Sequence, residues 1–239
     1  MTEISHPKSA ATVILLRPHP SGGFETFMTR RPLQMKFLGG MYVFPGGTVR
    51  KEDCTEGILK RCRGLTAREA QRILGATLNP EACLGHWVAA IRELFEEVGI
   101  LLCVTETGEP LNLTDKNGRS CAVQKRLPLI KGEINFQNFL ESERLICDLT
   151  KLAHFSHWQT PQEFAMRFNT RFYLAQLPSD QEPLPKSEEV THSLWVTPER
   201  SLQLSEQGLL PVIFPTFACL RTLADFDTLQ SLGAEYGLG

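Results

Sequence analysis

Three glutamates, Glu93, Glu96 and Glu97, crowd the last turns of the stretch AAIRELFEEVGILL at positions 89–102. Side chains three and four residues apart share a helix face, so like charges there repel by about 0.2–0.5 kcal/mol per pair. The helix C-terminus is itself a negative pole and disfavours anions. The plain reading of such a group is a solvated acidic face. Two features argue for more: the electrostatically wrong helix end, and the double glycine Gly46–Gly47 upstream in VFPGG. Three oxygen donors on one face suit a hard divalent cation such as Mg²⁺, which takes carboxylates, carbonyls and water and keeps positions open for substrate phosphates. A dication would offset the repulsion and turn the cluster into a site.

The elements that must position these carboxylates are legible in outline. Asn79 caps, Pro80 and Glu81 fill the first turn, and Gly99 stops a helix whose apolar stripe runs Leu84, Trp87, Val88, Ile91, Leu94, Phe95 and Val98. The three glutamates fall almost opposite that stripe. Upstream, AATVILL (10–16) predicts a buried strand, RPHPSGG a turn and FETFMTRR a returning strand, with GGMYVFPGG a short strand between glycines. Residues 50–80 are polar and read as helical, with Thr66, Glu69 and Gly75 marking one helix by capping box and stop. Residues 105–120 predict an exposed loop, 135–152 a helix, 170–177 and 191–197 strands, 198 onward a helix, and 215–229 a last helix. Strands and helices intermix, so the class is α/β or α+β.

Composition narrows the function classes. The 239 residues are 42% hydrophobic and 22% charged, with a net charge of −2, which is an ordinary globular balance. No basic run favours nucleic acid or an anionic membrane. No stretch approaches a membrane span, and the apolar run 10–16 lacks the charged lead and cleavage site of a secretory signal. The seven cysteines at 54, 62, 83, 103, 121, 147 and 219 form no C-x-x-C, which speaks against a disulfide framework or a thiolate zinc site. The C-terminal EYGLG is not an SKL-type address, and the expected location is a reducing cytoplasm.

Residues 92–100, RELFEEVGI, resemble the second half of the Nudix box, G-x5-E-x7-R-E-U-x-E-E-x-G-U, and FPGG resembles its usual lead-in. Gly47 and Arg92 stand far apart for a compact box, so an insertion splits the motif. Asp53 holds the place six after Gly47 where the family has its first glutamate, while Leu84 holds the place eight before Arg92; which acid replaces that glutamate is left open. A similar split, together with AAIRELFEEVGILL and RFNTRFYLAQLP, resembles the coenzyme A diphosphatase (nudix motif 19-like) branch.

The resemblance implies an α/β/α sandwich with a mixed sheet, a single domain over 1–239, and inserted helices at about 50–80 and 105–150. It implies a hydrolase of nucleoside diphosphates linked to another moiety, using Mg²⁺ or Mn²⁺, with coenzyme A or acyl-CoA as first substrate. ADP-ribose, a dinucleotide or a non-catalytic sensing role are the alternatives. By the same resemblance Glu96 and Glu97 are metal ligands, Glu93 is a ligand or the general base, Gly47 offers its carbonyl, and Arg92 orients Glu93. The substrate-binding set is Arg31, Lys36, Gly40 and Gly46, because FMTRR and Gly40 partly match the L-L-T-x-R…G-x3-FPGG signature of coenzyme A-cleaving members. Relatives often form homodimers, so a dimer is among the expected partners; nucleic acid and membrane are not. Glu188 and Glu189 are reserve bases. His86, His154 and His157 read as core or surface histidines, and of Phe168, Phe172 and Tyr173 at least one reads as core.

Overall fold

The computed structural model describes residues 6–75, 77–111, 124–184 and 190–238. The reserve acids Glu188 and Glu189 lie outside the described residues. Ten strands run in chain order: β1 Lys8–Pro18, β2 Phe24–Arg30, β3 Tyr42–Val43, β4 Gly46–Thr48, β5 Cys62–Arg63, β6 Cys103–Thr105, β7 Leu145–Asp148, β8 Ala153–Gln159, β9 Phe168–Gln176 and β10 His192–Val196. The helices are α1 Glu56–Leu59, α2 Ala67–Leu74, α3 Pro80–Val98, α4 Phe136–Ser142, α5 Pro198–Glu206, α6 Phe214–Leu223 and α7 Leu229–Tyr236, with a further helical stretch over 124–130.

The main sheet has the order β10-β2-β1-β9-β8, with β3 on β2 and β4 on β1. It is mixed: β1 and β9 are parallel and the other pairs antiparallel. Strand side chains alternate between faces, and β1 divides accordingly. Ala11, Val13 and Leu15 join a core with α3, whereas Ile14 and Leu16 join a second core with Cys219, Leu220 and Leu223 of α6 and Leu232 of α7. Helices on both faces make the α/β/α sandwich.

The two insertions do not hang off this frame separately. β5 from the first, β7 from the second and β6 between them form a three-stranded sheet, β5-β7-β6. Ile58, Ala70 and Leu74 of the first insertion and Phe136, Phe139 and Cys147 of the second pack into the α3 core. Phe139 stacks on Phe95 of α3 at 5.0 Å between ring centroids. As a result α3 is buried almost all round, and Glu93 and Glu96 with it. A helix that looks amphipathic in sequence is thus wrapped on its polar side too.

The structure departs from the expected elements in four places. The helix over 135–152 ends at Ser142, because Arg144 takes a positive φ of 54° and LICD then pairs as β7. The last helix is two, broken after Leu223 and restarted at Thr228, whose side chain accepts from Ser231 N. β8, carrying His154 and His157, was not expected as a strand; a register shift between His154 and Ser156 masks its alternation. Residues 50–80 are only partly helical, with a 3-10 turn at Lys51–Cys54 and the short strand β5.

α3 ends as expected. Asn79 Oδ1 accepts from Ala82 N at 2.7 Å, and Gly99 adopts φ 78°, its N–H donating to Phe95 O at 2.9 Å. A Cβ in that left-handed region costs about 1–2 kcal/mol. Gly99→Ala is expected to lower the free energy of denaturant unfolding by that amount with an unchanged m-value.

Candidate active site

Arg92 is the centre of the site. Its guanidinium lies under the polar side of α3 with almost no solvent contact. Nε and Nη2 donate to the two oxygens of Asp53, at 2.8 and 2.9 Å. Nη1 donates to Glu93 at 2.7 Å and Glu96 at 3.2 Å, and Nη2 also to the carbonyl of Thr48 at 2.9 Å. Burial alone would lower the pKa of Arg92, but the Asp53 bonds and the charges of Glu93 and Glu96 outweigh it and hold it above its ordinary value. Burial pushes the Glu93 carboxyl up, and Glu96 adds to this; Arg92 opposes both.

Asp53 is therefore the acid that faces the arginine, and it does so from the 3-10 turn that opens the insertion. Its Oδ2 also accepts from Arg50 N at 2.8 Å, which fixes that turn. The Arg50 side chain reaches back to grip Glu96 with two bonds, at 3.0 and 2.8 Å. Arg126, from the second insertion, donates through Nε to the carbonyl of Glu96 at 3.1 Å and lies close enough to Glu97 for their charges to interact. A cation at that place complements the helix C-terminus. The three glutamates are held in part by three guanidiniums.

The double glycine meets the same side chains. Gly46 N donates to Glu97 Oε2 at 3.0 Å. A Cβ on Gly47 would lie 2.6 Å from the Glu93 carboxyl carbon, and one on Gly46 would lie 2.5 Å from Ala11 O. Only glycines let this strand run so close to both α3 and β1. Gly46, Gly47, Arg92, Glu93, Glu96 and Glu97 are thus brought together, and Asp53 joins them through Arg92.

The expected substrate-binding set divides. Arg31 donates through Nε to Phe37 O at 3.3 Å, Gly40 N donates to Arg31 O at 3.0 Å, and Lys36 is exposed. These contacts close the 31–41 turn on itself. Among the described residues no hydrogen bond joins Arg31, Lys36 or Gly40 to the glutamate cluster. Of the aromatic candidates, Phe172 and Tyr173 are core residues on opposite faces of the sheet, and Phe168 packs on Phe37.

Whether a divalent cation fits follows from the donor set. Among the described residues no three His, Cys, Asp or Glu side chains converge closely enough to enclose one ion. Both oxygens of Glu96 accept from Arg50. The Arg50 side chain is 45% exposed, however, whereas Glu96 is buried, so of the three guanidiniums Arg50 is the one that water can most readily take back. Four carboxylates stand against three guanidiniums, and the one most easily withdrawn is Arg50. Carboxylates beside a glycine carbonyl are the oxygen donors a hard cation takes, so the residues fit once Arg50 yields.

Asp53 and Arg50 could be anticipated only weakly: Asp53 from its spacing to Gly47, Arg50 from nothing in its polar surroundings. Arg126 carried no signal, since its place depends on how the second insertion folds back.

The chain matches the family model described as the NUDT19 Nudix domain over residues 7–223. It is 24% identical over 240 residues to a protein of Xenopus laevis named acyl-coenzyme A diphosphatase NUDT19, covering 87% of this chain and 62% of that one. It is 26% identical over 248 residues to the Homo sapiens protein of the same name, covering 90% and 64%. The chain thus spans less than two thirds of the length of either relative. Among solved structures, a NUDIX hydrolase from Alicyclobacillus acidocaldarius superposes with a TM-score of 0.81 at 25% identity, covering 99% of this chain and 100% of that one.

Removing one partner of a buried ion pair costs about 3–5 kcal/mol, because the other charge is left uncompensated. Asp53→Asn is expected to destabilise the fold by about that much in chemical denaturation. A loss under 1 kcal/mol would mean that Arg92 does not depend on Asp53.

Proposed function

The chain belongs to the NUDT19-type Nudix domain family, and from that premise we propose that it is a metal-dependent diphosphatase cleaving the pyrophosphate of a nucleoside diphosphate linked to another moiety. The first-choice substrate is coenzyme A or an acyl-CoA, the activity named for its frog and human relatives. The observation that carries the reading is the seating of Glu93 and Glu97 directly against the double-glycine strand, with Arg92 holding Glu93 from behind.

Hydrolysis of a P–O–P bridge adds one water and gives two phosphate monoesters. Mg²⁺ or Mn²⁺, held by Glu93, Glu96, Glu97 and the Gly47 carbonyl, would neutralise charge on the pyrophosphate and acidify the attacking water. Arg92 keeps Glu93 in one rotamer through a charge-assisted bond. Glu93 accepts the proton of the attacking water. Glu97, fixed by Gly46 N, sets the distance between the helix and the strand that frames the substrate. With the cation bound, Arg50 would be released from Glu96 and free to face a phosphate oxygen. We also read 1–239 as one domain, since both insertions share the α3 core, and place it in the cytoplasm, in keeping with the free cysteines among the described residues. No helix among the described residues is long and apolar enough to cross a membrane.

Incubation with coenzyme A, ADP-ribose, NADH and diadenosine compounds, with Mg²⁺ or Mn²⁺, tests the reading. Coenzyme A is expected to turn over fastest, and Glu97→Gln to reduce kcat at least about a hundredfold. Binding without turnover of any of these compounds would replace the enzyme with a nucleotide sensor. Gly47→Ala is a finer probe. Its Cβ must push Glu93 aside, and a misplacement of about 1 Å can lower turnover about a hundredfold. An unchanged kcat in a folded Gly47→Ala protein would remove Glu93 from the chemistry.

A further inference from the structure

Two of the buried arginines, Arg92 and Arg171, are treated very differently. Arg92 has carboxylate or carbonyl partners at every nitrogen. Arg171, on β9 and only 5% exposed, has one, the carbonyl of Leu74 at 3.4 Å from Nη2, and its Nε has no hydrogen-bond partner. Among the described residues no carboxylate pairs with it. An isolated buried charge is costly, so the fold must offset it by other means.

The neighbours of Arg171 share the deficit. Tyr173, two residues along the same face of β9, is fully buried and its hydroxyl has no partner. His154, opposite Tyr173 on β8, has its ring 5.9 Å away, and its Nε2 is also buried without a partner. Burial, then the charge of Arg171, pushes the His154 pKa down to about 4, so the imidazole is neutral near pH 7 and can donate from one nitrogen. Buried polar groups are almost always satisfied, and each exception calls for a cause. Here three orphaned groups, one of them a guanidinium, are neighbours.

Their position relates them to the site. Strand register runs Gly47 on β4, Ala11 on β1, Arg171 on β9 and His157 on β8 in a single row. Directly paired residues share a face, so Arg171 points to the same side as Glu93. Two strand spacings separate it from Gly47, roughly 10 Å. The carboxyl end of α2 covers it through Leu74.

We propose that Arg171, Tyr173 and His154 form a second anion subsite, made for a phosphoryl group. A planar guanidinium with a free Nε–H suits a tetrahedral oxyanion, and the hydroxyl and imidazole add neutral donors. The occupant is either a phosphate monoester carried on the nucleoside part of the substrate or free inorganic phosphate. The first alternative rests on the diphosphatase reading; the subsite itself does not.

Calorimetric titration of the full chain with inorganic phosphate, without divalent metal, tests the subsite independently of turnover. Saturable binding is expected, weakened at least about tenfold in Arg171→Gln and less in Tyr173→Phe. Tyr173→Phe keeps the ring and its packing on Trp87, so it decides the matter if Arg171→Gln fails to fold. No saturable binding, or affinity unchanged in the folded variants, overturns the proposal and leaves the groups to buried water. Kinetics then separates the sources. A KM that rises in Tyr173→Phe for coenzyme A but not for its 3′-dephosphorylated form identifies the substrate's own phosphate as occupant. Equal effects on both, with phosphate binding intact in the wild type, assign the subsite to free phosphate. Absence of turnover with phosphate binding retained would defeat the diphosphatase reading alone.

Discussion

Arg92 is the interaction on which the site depends. One buried guanidinium gathers Asp53 from the inserted segment, Thr48 from the double-glycine strand, and Glu93 and Glu96 from its own helix. Removing any one of these would leave part of a buried charge unanswered, and such networks are strong only when complete. The geometry of the acidic cluster is therefore set from behind, by a buried ion-pair lattice.

This changes the answer to the electrostatic puzzle in the sequence. Glutamates near a helix's negative pole are tolerated first because Arg92, Arg50 and Arg126 stand among them. The three differ in how firmly they are held. Arg92 is sealed, Arg126 is tied to main-chain carbonyls at the end of α3, and Arg50 is half in solvent. On the proposed reading, a cation would enter by displacing the loosest partner while the others keep the carboxylates aimed. The insertion that splits the motif thus supplies two partners of the acidic cluster, Arg50 and Asp53, and the second insertion supplies Arg126. Their shared sheet β5-β7-β6 binds both segments to the same helix.

Much of the frame was legible because it is local. The caps and stop of α3, the apolar run of β1 and the capping box of α2 are properties of neighbouring residues, and they fold as read. What could not be read depends on pairing at a distance. LICD looks like the continuation of a helix until Cys147 finds Cys62 and Cys103 on strands far away in the chain. The polar side of α3 looks solvated until two insertions wrap it. The same limit applied to the site. Spacing marked Asp53 as a candidate, but only the fold brings it to Arg92, and nothing near Arg126 or Arg171 in sequence announces their burial. In the turn carrying Arg31, Lys36 and Gly40, the bonds of Arg31 and Gly40 close the turn on itself.

The central claim is that carboxylates positioned by Arg92 form the cation site once Arg50 gives way. Anomalous scattering from a crystal grown or soaked with Mn²⁺ tests it most directly. The account predicts a manganese peak within about 2.0–2.3 Å of oxygens from at least two of Glu93, Glu96 and Glu97, with the Arg50 side chain swung off Glu96 and the Arg92–Asp53 pair unmoved. A peak elsewhere, or no peak with Arg50 still bound to Glu96 at saturating manganese, would contradict it.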